Sequence, residues 1–513
     1  MEIINKLKTT VIKEKKIVIA LLLFAIFWGL FLRFYHLGQQ SYWIDEGFSL
    51  NAVSAVLEKG FPILDSGFYY LRSILNTYII AGFIKLFGLT PFVARFSTAL
   101  FGTLFITLIY FFVNKITANK KLAIITTLFT ALSYWEIAWG RQARMYIQFQ
   151  FFFFAALLAF WLCLEKFSKW RITATALLTL GAILSHEFGF LLLGIYLIAY
   201  IIFFYAPVTP NQKMRKNQKT KFLQFIDNFF WVIFSCLAIF VPLAGMKAYQ
   251  LFLARFFIED YNAQNDLIAG NFLLFFYRLF TWLILLALVG IVWYVIKNKN
   301  IFPYIYIFLS FTLPLFLIIV STDLLHLRYL VFLYPFMYLF VAMFLVLLSD
   351  WLSEKTIFKK LPNILILSVF TLIILISHGQ FIFMPRTDYP LEFGSPQADF
   401  TKAYAAIKKL GWNDTTQIIS PYPAMDKLYL GRSTYWYPLS LSGKPEEITN
   451  IQNSIYTGAP RLDDLSTLDK QKTTYFILDR MAMNRVDDNQ FLSINENFKK
   501  VYKAKNITVF KRK

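Results

Sequence analysis

The sequence predicts a polytopic α-helical membrane protein with a small α/β domain at its C-terminal end. Three observations lead there. Of 513 residues, 58% are hydrophobic and only 16% charged, with a mean hydropathy of +0.54. A soluble chain of this length cannot bury so much apolar surface, so lipid is the expected solvent for most of it. The net charge of +21 resides largely in short loops between apolar runs, a pattern of membrane topology and anionic headgroups rather than nucleic acid. Beyond residue 380 or so the apolar runs stop and Pro/Gly punctuation begins.

In chain order, runs long enough to span lie at about 17–34, 98–113, 121–139, 147–164, 172–185, 188–206, 227–244, 272–296, 301–320, 329–348 and 361–378. The first follows a basic stretch with no small-residue cleavage site, so a retained helix is expected rather than a removed signal peptide. Cys163 and Cys236 both fall inside apolar runs and read as small buried hydrophobes, not as a disulfide or metal ligands. The 58 phenylalanines accompany abundant Lys, Asn and Ile, and mark no aromatic site by themselves.

Charge sorts the loops. Lys6, Lys8, Lys13, Lys15 and Lys16, then "NKITANKK", "EKFSKWR", "NQKMRKNQKTK", "KNKN" and "SEKTIFKK" share one side, cytoplasmic by the positive-inside rule. Alternation puts "YWIDEGFSL", "GRQARMY", "SHEFG" and "LLHLRYL" on the outer face. That order holds only if "FYYLRSILNTYIIAGFIKLFG" (68–88) does not cross. Arg72 and Lys85 interrupt it near its two ends, which suits an amphipathic helix in the outer interface, within a first outer loop of about 35–97. About eleven spans then give a cytoplasmic N-terminus and an external C-terminus. The membrane domain is expected over 1–379 and a soluble extracytoplasmic domain over 380–513. In the latter, "FTKAYAAIKKLG" reads as a helix ending at Gly411, and "TQIIS", "TTYFILD" and "ITVFKRK" as strands.

Ionisable residues at a membrane boundary are functional candidates. Adjacent Asp45 and Glu46 repel each other, so one can act as a general base while the other caps or orients. They equally suit the start of a helix running from near Gly47 to Lys59. Arg141 and Arg144, three apart, would share one helical face if the turn has begun, and two guanidiniums match phosphate oxygens. Snorkelling to headgroups is the plainer use of an arginine there. Arg328 and His326 mark another outer boundary. His186 and Glu187 sit in a nearly loopless hairpin, where hydrogen bonding to a neighbouring helix is as apt as a site. No Gly-rich nucleotide loop is present, so an activated donor already in the membrane is the expected energy source.

The ordered set "DE" after the first helix, "FYYLRSILNTYIIAGFIKLFG", "ARFSTALFGTLFITLIYFF", "SYWEIAWGRQARMY", "LSHEFGFLLL" and "RYLVFLYP" resembles the dolichyl-phosphate-mannose protein mannosyltransferase-like family of GT-C membrane glycosyltransferases. Its relatives include enzymes that put aminoarabinose on lipid A. The similarity covers about residues 15–350, and the external α/β tail is like that of bacterial members. It implies a GT-C fold with about eleven transmembrane helices plus interfacial helices, in a plasma (inner) membrane. It also implies an inverting transfer of a hexose or pentose from a polyprenyl-phosphate donor to a protein, lipid or glycan acceptor. Asp45 matches the family's catalytic aspartate and Glu46 its acidic neighbour. Arg141, Arg144 and Arg328 match arginines implied to hold the donor phosphate. Tyr69, Tyr70, Arg72, Lys85, Tyr146, His186 and Glu187 are the further substrate-binding candidates.

The sequence departs from the family at Gln142, where Glu is usual, and at "LDSGFYYL" (64–71), where many members carry prolines before the tyrosines. The first removes an acidic partner, so no metal ion is assigned. No cofactor is required by the sequence. The second bears on sugar preference. Membrane lipids are expected partners and nucleic acid is not. The competing readings are a polyprenyl-linked glycan polymerase or ligase, which would carry its large outer loop late, and a lipid-linked sugar transporter. The transporter would carry broken helices and ionisable groups near the midplane.

Overall fold

In hydrocarbon every backbone N–H and C=O must be satisfied within its own segment, so long apolar runs become helices. The computed structural model describes residues 2–205, 280–298, 300–321, 327–355, 362–390, 397–438, 452–469, 471–486 and 488–513. Within them the helices are α1 (Glu2–Phe34), α2 (Ile44–Lys59), α3 (Ile74–Phe87), α4 (Pro91–Thr117), α5 (Lys120–Leu132) and α6 (Tyr134–Gly140). There follow α7 (Tyr146–Glu165), α8 (Lys169–Ser185), α9 (Leu191–Tyr205), α10 (Leu283–Lys297), α11 (Phe302–Ser321), α12 (Tyr334–Ser353) and α13 (Asn363–Ser377). Five helical stretches among the described residues are long and apolar enough to cross a membrane, and shorter apolar helices accompany them. The run expected at 227–244 lies outside the described residues, as do Cys236 and His326.

Two local departures matter for the site. The run expected at 121–139 is broken, because Ser133 is extended (φ −62°, ψ 126°) and forms a bridge with Phe381. The Tyr134 N–H donates to the Gln380 carbonyl at 2.6 Å and the Ile382 N–H to the Leu132 carbonyl at 2.9 Å. These contacts replace helix bonds at the break, and α6 restarts from a Ser133 cap. The helix expected from near Gly47 starts at Ile44 instead, which brings Asp45 and Glu46 into the first turn of α2. It stops where foreseen, at Lys59, with Gly60 in the left-handed region (φ 77°). The amphipathic stretch of 68–88 forms α3, which buries Ile80, Ala81 and Ile84 and leaves Tyr78, Leu86 and Phe87 exposed.

The C-terminal part forms α14 (Phe400–Lys409), β1 (Gln417–Ser420), α15 (Pro423–Leu430), β2 (Tyr435–Trp436), β3 (Thr474–Asp479), β4 (Phe498–Ala504) and β5 (Ile507–Arg512). The sheet order is β2-β1-β3-β5-β4. β1 runs parallel to β2 and β3, while β5 is antiparallel to β3 and β4. All six residues of β3 are buried, as its unbroken apolar pattern predicts for a central strand. The lysine-rich β4 was not foreseen, because its solvated side chains hide an edge strand.

One apolar cluster runs from the sheet (Ile418, Tyr475, Ile477, Val509) through α14 (Ala403, Tyr404, Ile407) to Leu50 and Val53 of α2 and Ile80 of α3. The sheet is therefore linked to the helix that carries Asp45 through α15, which packs on both. Gly47 makes that approach possible: a Cβ there would lie 2.4 Å from Met425 Sδ on α15. Asn51 fastens the same contact, donating to the Ala424 carbonyl at 2.8 Å and to that of Gly47 at 2.7 Å.

Candidate active site

The site is built on the first turn of α2, and Glu46 fixes that turn. Its carboxylate is fully buried and meets a fully buried Arg95 from α4, with Nε to Oε1 at 2.8 Å and Nη2 to Oε2 at 2.7 Å. Two backbone N–H groups complete its shell, from Ala143 at 2.7 Å and from Trp43 at 2.8 Å. The Trp43 bond is the reach-back half of a capping box. Arg95 further donates to the Leu37, Gln40 and Ser41 carbonyls. Glu46 thus joins α2, α4 and the α6–α7 turn, with no lone pair left over for a substrate. Of the two roles the sequence left open to the pair, acting and orienting, these contacts suit Glu46 to the second.

Asp45 has the opposite environment. Its side chain is 17% exposed and lies between two guanidiniums, with Arg328 Nη2 at 3.5 Å and Arg144 Nη2 at 3.6 Å from Oδ2. Both distances exceed good charge-assisted hydrogen bonds, so among the described residues the carboxylate is held electrostatically and its oxygens accept no close hydrogen bond. Arg144 is itself positioned: Nη1 donates to the Asp45 carbonyl (2.9 Å), Ser49 Oγ (2.6 Å) and the Tyr70 hydroxyl (3.2 Å). Arg328 lies over the Trp43 and Tyr329 rings at 5.2 and 5.8 Å. Arg72 donates to the Tyr329 hydroxyl at 3.4 Å and lies near Glu187. Tyr146 has Arg144, Arg328, Arg72 and Asp45 as its electrostatic neighbours. Cation–π contacts of this kind hold arginines in place without neutralising them.

Arg141 goes elsewhere. Residues 141–145 form turns and bends rather than helix, so the three-residue spacing does not align it with Arg144. Its Nη1 donates to the carbonyls of Leu32 (3.3 Å), Arg33 (2.9 Å) and Tyr35 (2.7 Å), and Nη2 to that of His36 (3.2 Å). These carbonyls belong to the end of α1 and the turn after it, and a cation there satisfies orphan acceptors and the helix dipole. With the Tyr389 ring at 4.7 Å, Arg141 is an anchor for α1 rather than a phosphate ligand.

The remaining candidates divide in the same way. Tyr70 is buried and bonded to Arg144, whereas Tyr69 is 56% exposed and pairs with Ile63 in an isolated bridge. Lys85 is exposed in the last turn of α3. Arg72 precedes that helix, so roughly 17 Å of helix lies between the two. His186 accepts from the Phe188 N–H at 3.2 Å and lies among Tyr146, Phe149, Phe188 and Tyr329, which orients a short turn. Among the described residues no three histidine, cysteine or carboxylate side chains gather as metal ligands would.

Sequence reasoning missed Arg95, Ser49, Trp43, Tyr329 and Tyr456, the last of which stacks on Phe48 of α2 with ring centroids 4.0 Å apart. Arg95 carried a usable signal, a charge near the start of a long apolar helix, which needs a partner. The other four are ordinary residues made important by geometry. Among the described residues the cluster sets one partly accessible carboxylate beside three oriented guanidiniums, groups that can respectively accept a proton and attract an anion.

No protein-family model matches the chain, and no curated protein does. Solved structures do. ArnT from Cupriavidus metallidurans bound to undecaprenyl phosphate is similar over 97% of this chain and 98% of its own, with 12% identity and a TM-score of 0.55. The Archaeoglobus fulgidus oligosaccharyltransferase in the apo form is similar over 94% of this chain and 73% of its own, with 12% identity and a TM-score of 0.52. The oligosaccharyltransferase AglB of the same organism, in complex with an inhibitory peptide and a dolichol-phosphate, aligns over 82% of this chain at 12% identity and a TM-score of 0.47. This chain spans 64% of that protein's length. At such identities the likeness concerns the fold. The chain is a polytopic helical membrane protein of the GT-C fold.

Proposed function

We propose that the protein is a membrane glycosyltransferase that moves a sugar from a polyprenyl-phosphate donor to an acceptor hydroxyl, with inversion. One observation carries the reading: an accessible carboxylate, Asp45, sits 3.5 and 3.6 Å from two arginines while its neighbour Glu46 is fully occupied. In the step proposed, Asp45 takes the proton of the acceptor hydroxyl, and that oxygen attacks the anomeric carbon. The bond from that carbon to the phosphate oxygen breaks, and its electron pair leaves with the lipid phosphate. Arg144, Arg328 and Arg72 stabilise the charge that grows there. The solved relative with undecaprenyl phosphate bound supports a polyprenyl phosphate as the carrier. The basic loops support a cytoplasmic N-terminus with the site on the opposite face. In this reading the carboxylate stands at the membrane boundary because the lipid phosphate and the acceptor meet there.

The test offers purified protein a panel of polyprenyl-phosphate hexoses and pentoses and measures binding and release of polyprenyl phosphate. A charge-assisted contact to phosphate contributes about 1.5–3 kcal/mol. Arg144→Gln and Arg328→Gln should each weaken donor binding about 10- to 100-fold. If neither change alters donor affinity, or only diphosphate-linked oligosaccharides bind, the monophosphate reading fails and the polymerase or ligase reading replaces it. Movement of intact donor across the bilayer without bond cleavage would favour the transporter.

A further inference from the structure

The cluster around Asp45 includes one residue from the far end of the chain. Asn453 and Pro460 form an antiparallel bridge, and the turn between them carries Tyr456. The Ser454 N–H donates to the Ala459 carbonyl and the Gly458 N–H to that of Ser454, both at 2.8 Å. The turn is fastened on both sides. Toward the sheet, the Trp436 N–H of β2 donates to the Pro460 carbonyl at 2.9 Å. Toward the first loop, Ser66 Oγ donates to the Ile455 carbonyl, and Gly458 brings the turn backbone against Ser66. Lys427 of α15 pairs with Asp65 beside it.

So held, the Tyr456 ring stacks on Phe48 with centroids 4.0 Å apart and planes 17° apart. Phe48 is three residues after Asp45 in α2 and so lies on the same helical face. Tyr456 packs with Leu64 and Tyr70, and its electrostatic neighbours are Tyr70, Asp45, Arg144 and Arg72. Both stacked rings remain half-buried rather than sealed. The result is an aromatic surface beside the proton acceptor and the arginines. In glycosyl transfer the sugar must lie against this group of side chains, since its anomeric carbon joins the acceptor oxygen near Asp45 to the phosphate near the arginines. The C–H faces of a sugar ring pack well on aromatic rings, while its hydroxyls reach the polar rim.

We propose that Tyr456, delivered by the C-terminal sheet, forms with Phe48 the wall that receives the transferred sugar, so that this part of the chain helps to choose the sugar. The proposal rests on the glycosyl-transfer reading and adds a specificity-determining residue to it. The experiment compares binding of undecaprenyl phosphate with that of undecaprenyl-phosphate mannose, glucose and arabinose to wild type, Tyr456→Phe, Tyr456→Leu and Tyr456→Ala. Wild type should bind one sugar-bearing lipid more tightly than the bare phosphate. Tyr456→Ala should remove about two- to tenfold of that preference, the range of an aromatic contact, and leave bare undecaprenyl phosphate binding unchanged. Tyr456→Phe should keep most of it. Tyr456→Leu, which preserves packing bulk on Phe48, should behave as Tyr456→Ala does. Equal weakening of both lipids would make Tyr456 a docking residue only, and an unchanged preference in Tyr456→Ala would remove it from the site. In both cases the glycosyl-transfer reading stands. If wild type binds none of these lipids, that reading falls and the sugar wall falls with it.

Discussion

Replacing Arg95 by Met should be among the most damaging single changes in the protein. Its guanidinium makes two bonds to Glu46, at 2.8 and 2.7 Å, and donates to the Gln40, Ser41 and Leu37 carbonyls at 2.7, 3.0 and 3.2 Å. Both partners are fully buried, so the Met variant strands a carboxylate that water cannot reach. Breaking such a pair from one side costs about 3–5 kcal/mol, a large part of the total stability of about 5–15 kcal/mol usual for a folded domain. Glu46→Gln leaves the Arg95 guanidinium without its counter-charge but still bonded to the Leu37, Gln40 and Ser41 carbonyls, and the amide offers a single accepting oxygen to the Ala143 and Trp43 N–H groups. It should cost less than Arg95→Met, and the double variant should be less stable than Glu46→Gln by only about 1–2 kcal/mol, so the pair is non-additive. Reversible SDS unfolding in bicelles, followed by tryptophan fluorescence, would measure all three. If Arg95→Met costs under about 1 kcal/mol, or the two changes simply add, Glu46 is not the keystone of the α2 turn.

Arg141→Gln should destabilise the protein by about 1.5–3 kcal/mol, because charged donors to the α1 carbonyls are lost, while donor affinity in the folded fraction stays at the wild-type level. Donor binding and unfolding measured on one preparation separate it from Arg144→Gln. In the C-terminal part, Asp426 is fully buried on α15 and accepts the Tyr404 hydroxyl at 2.6 Å. Burial pushes its carboxyl up to about 7, opposed by that hydrogen bond. The folded state therefore binds more protons than the unfolded state above the ordinary carboxyl value of about 4, so stability falls as pH rises from about 4 to 7. Asp426→Asn should flatten that slope in pH-dependent unfolding, and an unaltered slope would exclude Asp426 as its source.

Much of the fold was legible because the bilayer allows so few solutions. Apolar length gave the helices, and the change of composition near residue 380 coincides with the end of the last apolar helix at Ser377. Asp45, Arg144, Arg328, Arg72, Tyr70 and Tyr146 meet in the structure as a cluster. What could not be read depended on backbone turns and distant partners. Arg141 and Arg144 diverge because residues 141–145 are not helical, which no spacing rule reveals. Which of the two carboxylates orients could not be read, because Arg95, the partner of Glu46, lies 49 positions later. Tyr456 reaches Phe48 only through a turn clamped between the sheet and the first loop. Single-residue properties predict which groups need partners, and tertiary contacts decide which partners they get.

The central claim is that Asp45 is the proton acceptor in glycosyl transfer. Its most direct test is single-turnover transfer from the donor sugar that wild type uses, run on wild type and Asp45→Asn with donor binding measured separately. Loss of a general base lowers rate by about 10²–10⁴-fold. The account predicts a fall of that size in Asp45→Asn, with donor affinity kept within a few-fold because Arg144 and Arg328 remain. Turnover at the wild-type rate in Asp45→Asn would contradict it.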